Sequence, residues 1–227
     1  MSDALSRHFA QFASMPPRPP DAVVRAADRA ILDTLGVMIA GGAHPATRRL
    51  AHALPQHPGS AALAVGGFAD SETTALINGM AAHVWDFDDT SYTGIMHGSA
   101  VVLPTVMALA AAVGADGDAI RNAFIAGSEI AYVLAETCGH GHYFHGWWST
   151  VTFGLVGATA AAGAICGLTE AQMAAALGLA AAAAGGSKAV FGSDAKPFLV
   201  GDTARRAIGF ARMAGAGLTC PEQGFEE

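Results

Sequence analysis

Eighteen consecutive residues, Val151 to Leu168, carry no charge, and they are richer in glycine, alanine and threonine than in leucine or isoleucine. A run of that length reaches the span of a bilayer, but its small side chains suit a helix buried in a water-soluble protein. Helices with Gly and Ala on their contact faces bring their backbones close together. The chain should therefore be a tightly packed helical domain, with no membrane-crossing segment.

Composition supports this reading. Hydrophobic residues make up 52% of the 227 positions and charged ones only 14%, too apolar and too weakly charged for disorder. The length suits one helical domain over 1–227, with residues 1–20 forming an N-terminal amphipathic helix and a proline-rich link. So few charges leave apolar surface to be covered, and a partner chain is expected to cover part of it. A net charge of −7 without a basic stripe argues against nucleic acid. Three widely spaced cysteines (Cys138, Cys166, Cys220) without a CxxC pair fit a reduced, cytoplasmic protein, and the N-terminus lacks the apolar core of a signal peptide.

Helical spacing and capping residues divide the chain. Asp21 to about Ala40 reads as a helix stopped by Gly41-Gly42, followed by a loop region with a brief strand at Ala61 to Val65. Ser71 opens a helix to about Phe87. Further helices are expected at Ser99–Val113 (ending near Gly114), Asp116–Cys138, Thr150–Cys166, Thr169–Ala184 and Gly201–Gly215. There is no βαβ alternation and no dinucleotide-binding glycine fingerprint.

Chemistry concentrates between Asn78 and Pro104, which hold Asp86, Asp88, Asp89, His83 and His97 in otherwise apolar sequence. Burial and mutual repulsion shift the pKa values of such groups, as proton transfer requires. If the helix continues, His83 and Asp86 share a face and Asp89 lies one turn beyond. Any single aspartate could equally cap a helix. His97, followed by Gly98 and Ser99, lies where an apolar helix begins, a place that attracts anions, so it could bind a carboxylate or donate a proton. The alternative is a hydrogen-bonded structural histidine.

His140, His142 and His145 form a second group, placed by its glycines in a loop. Metal spacing is conceivable there, but a substrate-lining or interface loop is preferred, and no metal site is assigned. Lys188 and Lys196, the chain's only lysines, lie in a glycine-bearing stretch where either could meet a substrate carboxylate or simply face solvent. Arg205 and Arg206 are expected to begin the last helix.

Together these motifs resemble the MmgE/PrpD family, which includes 2-methylcitrate dehydratase and cis-aconitate decarboxylase. AILDTLGVMIAGG, ALINGMAAHVWDFDDT, HGSAVVLPTVMALA, GLVGATAAAGAICGL and KPFLVGDTARRA follow in the family's order. The resemblance implies a mainly helical domain of a dimeric enzyme that also carries a smaller α+β lid. It also implies cofactor-independent elimination, decarboxylation or isomerisation of small di- and tricarboxylates. By motif, His97, Asp86, Asp89 and Lys196 are the catalytic candidates. His83, Ser99, His145, Trp148 and Lys188 are candidates for holding substrate.

The chain departs from the family pattern at Trp148, where a histidine usually stands, and at Leu199, where some members carry one. An indole N–H only donates and exchanges no proton near neutral pH. His145 could reach the same space. The sequence ends before the lid, so the expectation is an enzyme completed by a second chain or by a homodimer. The leading reading is a lyase or isomerase. The others are a redirected isomerase or cyclase with an altered substrate, and a non-catalytic partner subunit.

Overall fold

The computed structural model describes residues 5–55 and 57–221. Among them are nine α-helices: α1 (Leu5–Ser14), α2 (Asp21–Gly42), α3 (Pro45–Ala53), α4 (Ser71–His83), α5 (Ser99–Val113), α6 (Gly117–Phe144), α7 (Ser149–Ile165), α8 (Glu170–Ala182) and α9 (Ala195–Gly215). A 3-10 turn at Lys188–Val190 precedes α9. Strands β1 (Ala61–Ala62) and β2 (Phe68–Ala69) pair antiparallel in a minimal hairpin. The all-α expectation holds, and no helix among the described residues is long and apolar enough to cross a membrane.

Capping chemistry sets several helix starts. Asp70 accepts from the N–H groups of Glu72 (2.9 Å) and Thr73 (3.0 Å) at the head of α4. Asp116 caps α6 through Ala119 N–H at 2.8 Å, and Thr169 with Gln172 forms a capping box on α8. Gly114, with φ of 69°, ends α5 in the left-handed conformation.

The helices meet through small residues. A Cβ on Gly79 of α4 would lie 2.7 Å from Gly201 Cα of α9, and one on Gly127 of α6 would lie 2.5 Å from the Gly157 carbonyl oxygen of α7. Neither crossing leaves room for a side chain. Leu103, Ile130, Leu155, Leu177 and Ile208 fill the space between these crossings with almost no exposure. Each such side chain contributes about 1.5–3 kcal/mol by leaving water.

Several boundaries differ from the sequence reading. Gly41 and Gly42 lie inside α2, because the amides of Ala43 and His44 continue its hydrogen bonding onto Ala40 and Gly41. The strand expected over Ala61–Val65 is two residues long, and Pro45–Ala53 is a helix, capped by the His44 ring, where only loop was expected. Helix α9 starts at Ala195, so Arg205 and Arg206 lie in its middle. Helix α6 runs through the glycines to Phe144, which places His140 and His142 on a helix and His145 at its C-cap.

Candidate functional site

Helix α4 ends at His83, four residues before the expected end at Phe87. The reason is local. Asp86 takes a left-handed φ of 56°, a conformation that aspartate tolerates, and its N–H closes a turn onto the His83 carbonyl at 3.0 Å. Asp86 therefore does not share a helix face with His83 by continuation; the turn folds it back. Farther along, paired hydrogen bonds between Ser91 and Met96 (2.9 and 3.2 Å) pinch the loop, and Met96 is fully buried. The next residue, His97, donates its backbone N–H to Thr150 Oγ1 at the start of α7, at 3.0 Å.

These turns place two imidazoles between two carboxylates. Asp88 Oδ2 lies 2.8 Å from His83 Nδ1 and 3.3 Å from His97 Nδ1. On the other side, Asp86 Oδ1 lies 3.6 Å from His83 Nε2 and 3.9 Å from His97 Nε2. Lys196, in the first turn of α9, brings its Nζ to 2.8 Å from the same Asp86 oxygen. The imidazole centroids are 4.9 Å apart, and Thr90 Oγ1 lies 3.3 Å from His97 Nδ1. Ser99 Oγ donates to Asp89 Oδ2 at 2.5 Å, tying the loop to α5.

Electrostatics assign the protons. Burial raises the Asp88 carboxyl, but hydrogen bonds from His83 and His97 outweigh it and bring the pKa to about 2. Asp88 is thus ionised and can only accept, so the His83 Nδ1–H donates to it. The His83 Nε2 is buried and has no hydrogen-bond partner. Burial alone would lower the His97 pKa, but the hydrogen bond and charge of Asp88, with the charge of Asp86, raise it. Burial also pushes Asp86 up, yet its hydrogen bond with Lys196 and the neighbouring histidines leave it lowered. Asp89 is raised by burial and by the Asp88 charge, against the Ser99 hydrogen bond.

Of this group, His83, Asp86 and Lys196 line a cleft of about 350 Å³ together with His44 and Ser193, and His97 is not part of the lining. A larger cleft of about 490 Å³, between the proline-rich link and the start of α6, lacks histidine. Its Asp118 is already paired with Arg121 at 2.5 Å. Residues 7–227 match the MmgE/PrpD N-terminal domain. The chain belongs to the MmgE/PrpD family. It is 30% identical to human (Homo sapiens) cis-aconitate decarboxylase over 214 residues, covering 87% of this chain and 43% of that protein. Against the mouse (Mus musculus) cis-aconitate decarboxylase it is 28% identical over 210 residues, covering 87% of this chain and 42% of the relative. The chain thus spans less than half the length of these curated relatives.

Of the residues singled out from sequence, the fold gathers His83, His97, Asp86, Asp89, Ser99 and Lys196. Trp148, set by the resemblance at a position expected to hold histidine, is 2% exposed and packs near His83 at a centroid distance of 5.5 Å. With Phe191 it flanks the Lys196 ammonium, whose Nζ is 5.9 and 5.2 Å from the two ring centroids. His145 and Lys188 do not line the cleft. His145 Nδ1 contacts the Gly141 carbonyl at 2.6 Å, and Lys188 Nζ sits 3.7 Å over the Tyr143 ring. Asp88, the hub of the network, was not singled out from sequence as a site residue. Neither were Thr90 and Thr150. Only the density of acids in WDFDDT signalled Asp88.

Proposed function

We propose that this chain forms part of an MmgE/PrpD-type lyase or isomerase site, which transfers a proton at the carbon α to a carboxylate of a small polycarboxylate. In this reading His97 Nε2 takes the α-proton, or returns one to the carbanion left by decarboxylation. Asp88 holds the imidazole by Nδ1 and stabilises the imidazolium that forms. Lys196 leaves Asp86 and pairs with the substrate carboxylate. Asp86 sets the resting charge of the cleft, and Asp89, through Ser99, fixes the loop that carries His97.

The observation that carries the proposal is the position of Asp86 Oδ1. A carboxylate oxygen already sits 2.8 Å from Lys196 Nζ and 3.9 Å from His97 Nε2, so the spot accepts the chemical group that the substrate would bring. Side chains near the cleft also expose apolar surface: Phe87 is 71% and Trp85 44% accessible. That supports completion of the site by a second chain or a second copy. Measuring the mass of the native protein in solution tests this, and a stable monomer counts against it. Screening the isolated assembly on cis-aconitate and related polycarboxylates tests the chemistry, and absence of turnover on all of them removes the proposal.

Trp148 supports a second reading, a redirected isomerase or cyclase. A large apolar ring behind His83 makes the pocket wall less able to supply protons. Turnover of cis-aconitate or 2-methylcitrate would argue against that version.

A further inference from the structure

The two imidazoles present the pattern of ligands primed for a metal ion. Each turns its Nδ1 toward the same ionised carboxylate, Asp88, at 2.8 and 3.3 Å. Histidines that bind metals characteristically give their second ring N–H to such an acceptor, which fixes the tautomer and directs the other nitrogen at the ion. Here the other nitrogens both face Asp86 Oδ1, at 3.6 and 3.9 Å.

Those separations are too long for hydrogen bonds. Donors sharing a tetrahedral ion with bonds near 2.0–2.1 Å sit about 3.3 Å apart, so the Asp86 oxygen needs to approach each ring nitrogen by less than an ångström to share a cation with it. Ligand atoms from His83, Asp86, Asp88 and His97 all fall within 4.8 Å of one another. His83 Nε2 adds an independent sign: it is a buried ring nitrogen without a partner, on a side chain with no solvent exposure. A cation between that nitrogen and the Asp86 carboxylate would give it the partner it lacks.

We infer that His83 Nε2, His97 Nε2 and Asp86 Oδ1 form a binding site for one divalent transition-metal ion, with Asp88 orienting both imidazoles from behind. Two nitrogens and one carboxylate oxygen suit a borderline ion such as Zn²⁺. A fourth position stays open toward the cleft. Lys196 pairs with the second oxygen of Asp86 or moves toward the Phe191 ring, 5.2 Å away. The inference concerns the unliganded chain and does not depend on the proposed reaction. The ion takes the same His97 nitrogen that proton transfer requires, so the two states exclude each other and the ion inhibits turnover.

Calorimetric titration of tag-free protein with ZnCl₂ in a non-coordinating buffer tests the site without any turnover. One equivalent should bind saturably. His97→Ala and Asp86→Ala, both at partly exposed side chains and with helix content checked by circular dichroism, should each weaken binding at least tenfold. Asp88→Asn, which removes the charge behind the ligands, should weaken it by about 10–100-fold. His142→Ala, in the separate histidine group on α6, should leave it unchanged. Titration with Co²⁺ should give a visible band of nitrogen and oxygen ligation without thiolate charge transfer. No saturable binding up to millimolar Zn²⁺ would overturn the inference, as would binding that survives both His97→Ala and Asp86→Ala.

Discussion

Asp88 and His83 meet at 2.8 Å with neither side chain exposed to solvent. This contact anchors the loop that follows α4 and holds the His83 ring by Nδ1. His97 shares the same carboxylate, so one buried charge positions both imidazoles.

That sharing makes stability depend on pH in a defined way. The Asp88 pKa falls from 3.8 to about 2 on folding, so its contribution is fully present above pH 4 and is lost as pH falls toward 2. A shift of that size corresponds to about 2 kcal/mol. His97 is raised above 6.5, so its contribution is present below that value and declines as pH rises through the folded pKa. Thermal unfolding followed across pH should show this network most stabilising between about pH 4 and 6.5. Asp88→Asn should flatten the acid limb and lower stability at neutral pH.

Lys196→Met should leave the fold intact, because the ammonium meets its partner at the cleft surface. It should raise the Asp86 pKa toward the ordinary carboxylate value, since the hydrogen bond with Lys196 helps to lower it. In the proposed reading, affinity for a small polycarboxylate, measured by calorimetry, should weaken about tenfold, equal to about 1.4 kcal/mol.

The α4–α9 crossing should not tolerate an added methyl group. In Gly201→Ala the new Cβ meets the Leu76 carbonyl, and the chain must shift to make room. Denaturant unfolding should report a loss of about 1–3 kcal/mol. Because α9 carries Lys196, the proposed polycarboxylate affinity should fall with it.

Asp70→Ala removes the acceptor for two orphan N–H groups at the start of α4. The expected cost is about 1 kcal/mol in the same assay. The wild-type contribution should fade in acid, because the Asp70 carboxyl, although raised by burial, is held below its ordinary pKa by hydrogen bonds from Thr73 and Glu72.

Local chemistry made part of this legible in sequence. Thr169 with Gln172, Asp116 and Gly114 carry their capping roles in their own side chains or backbone freedom, and the helices begin or end beside them. The helix is expected beyond His83 because Val84 and Phe87 continue an apolar spacing, but it stops short, and the left-handed turn at Asp86 leaves no mark in that spacing. Asp88 was hidden for the same reason. An aspartate is buried only when the fold brings donors to it, and nothing in WDFDDT says which of its acids meets the histidines. His145 and Lys188 were singled out by residue type, and α6, by running on to Phe144, draws both to its last turn.

Turnover by the native assembly on a panel of small polycarboxylates, compared between wild type and His97→Ala, tests the central claim most directly. The account expects wild-type turnover and a loss of about 10²–10⁴-fold in the variant, with circular dichroism unchanged. Equal rates in the two proteins would contradict it.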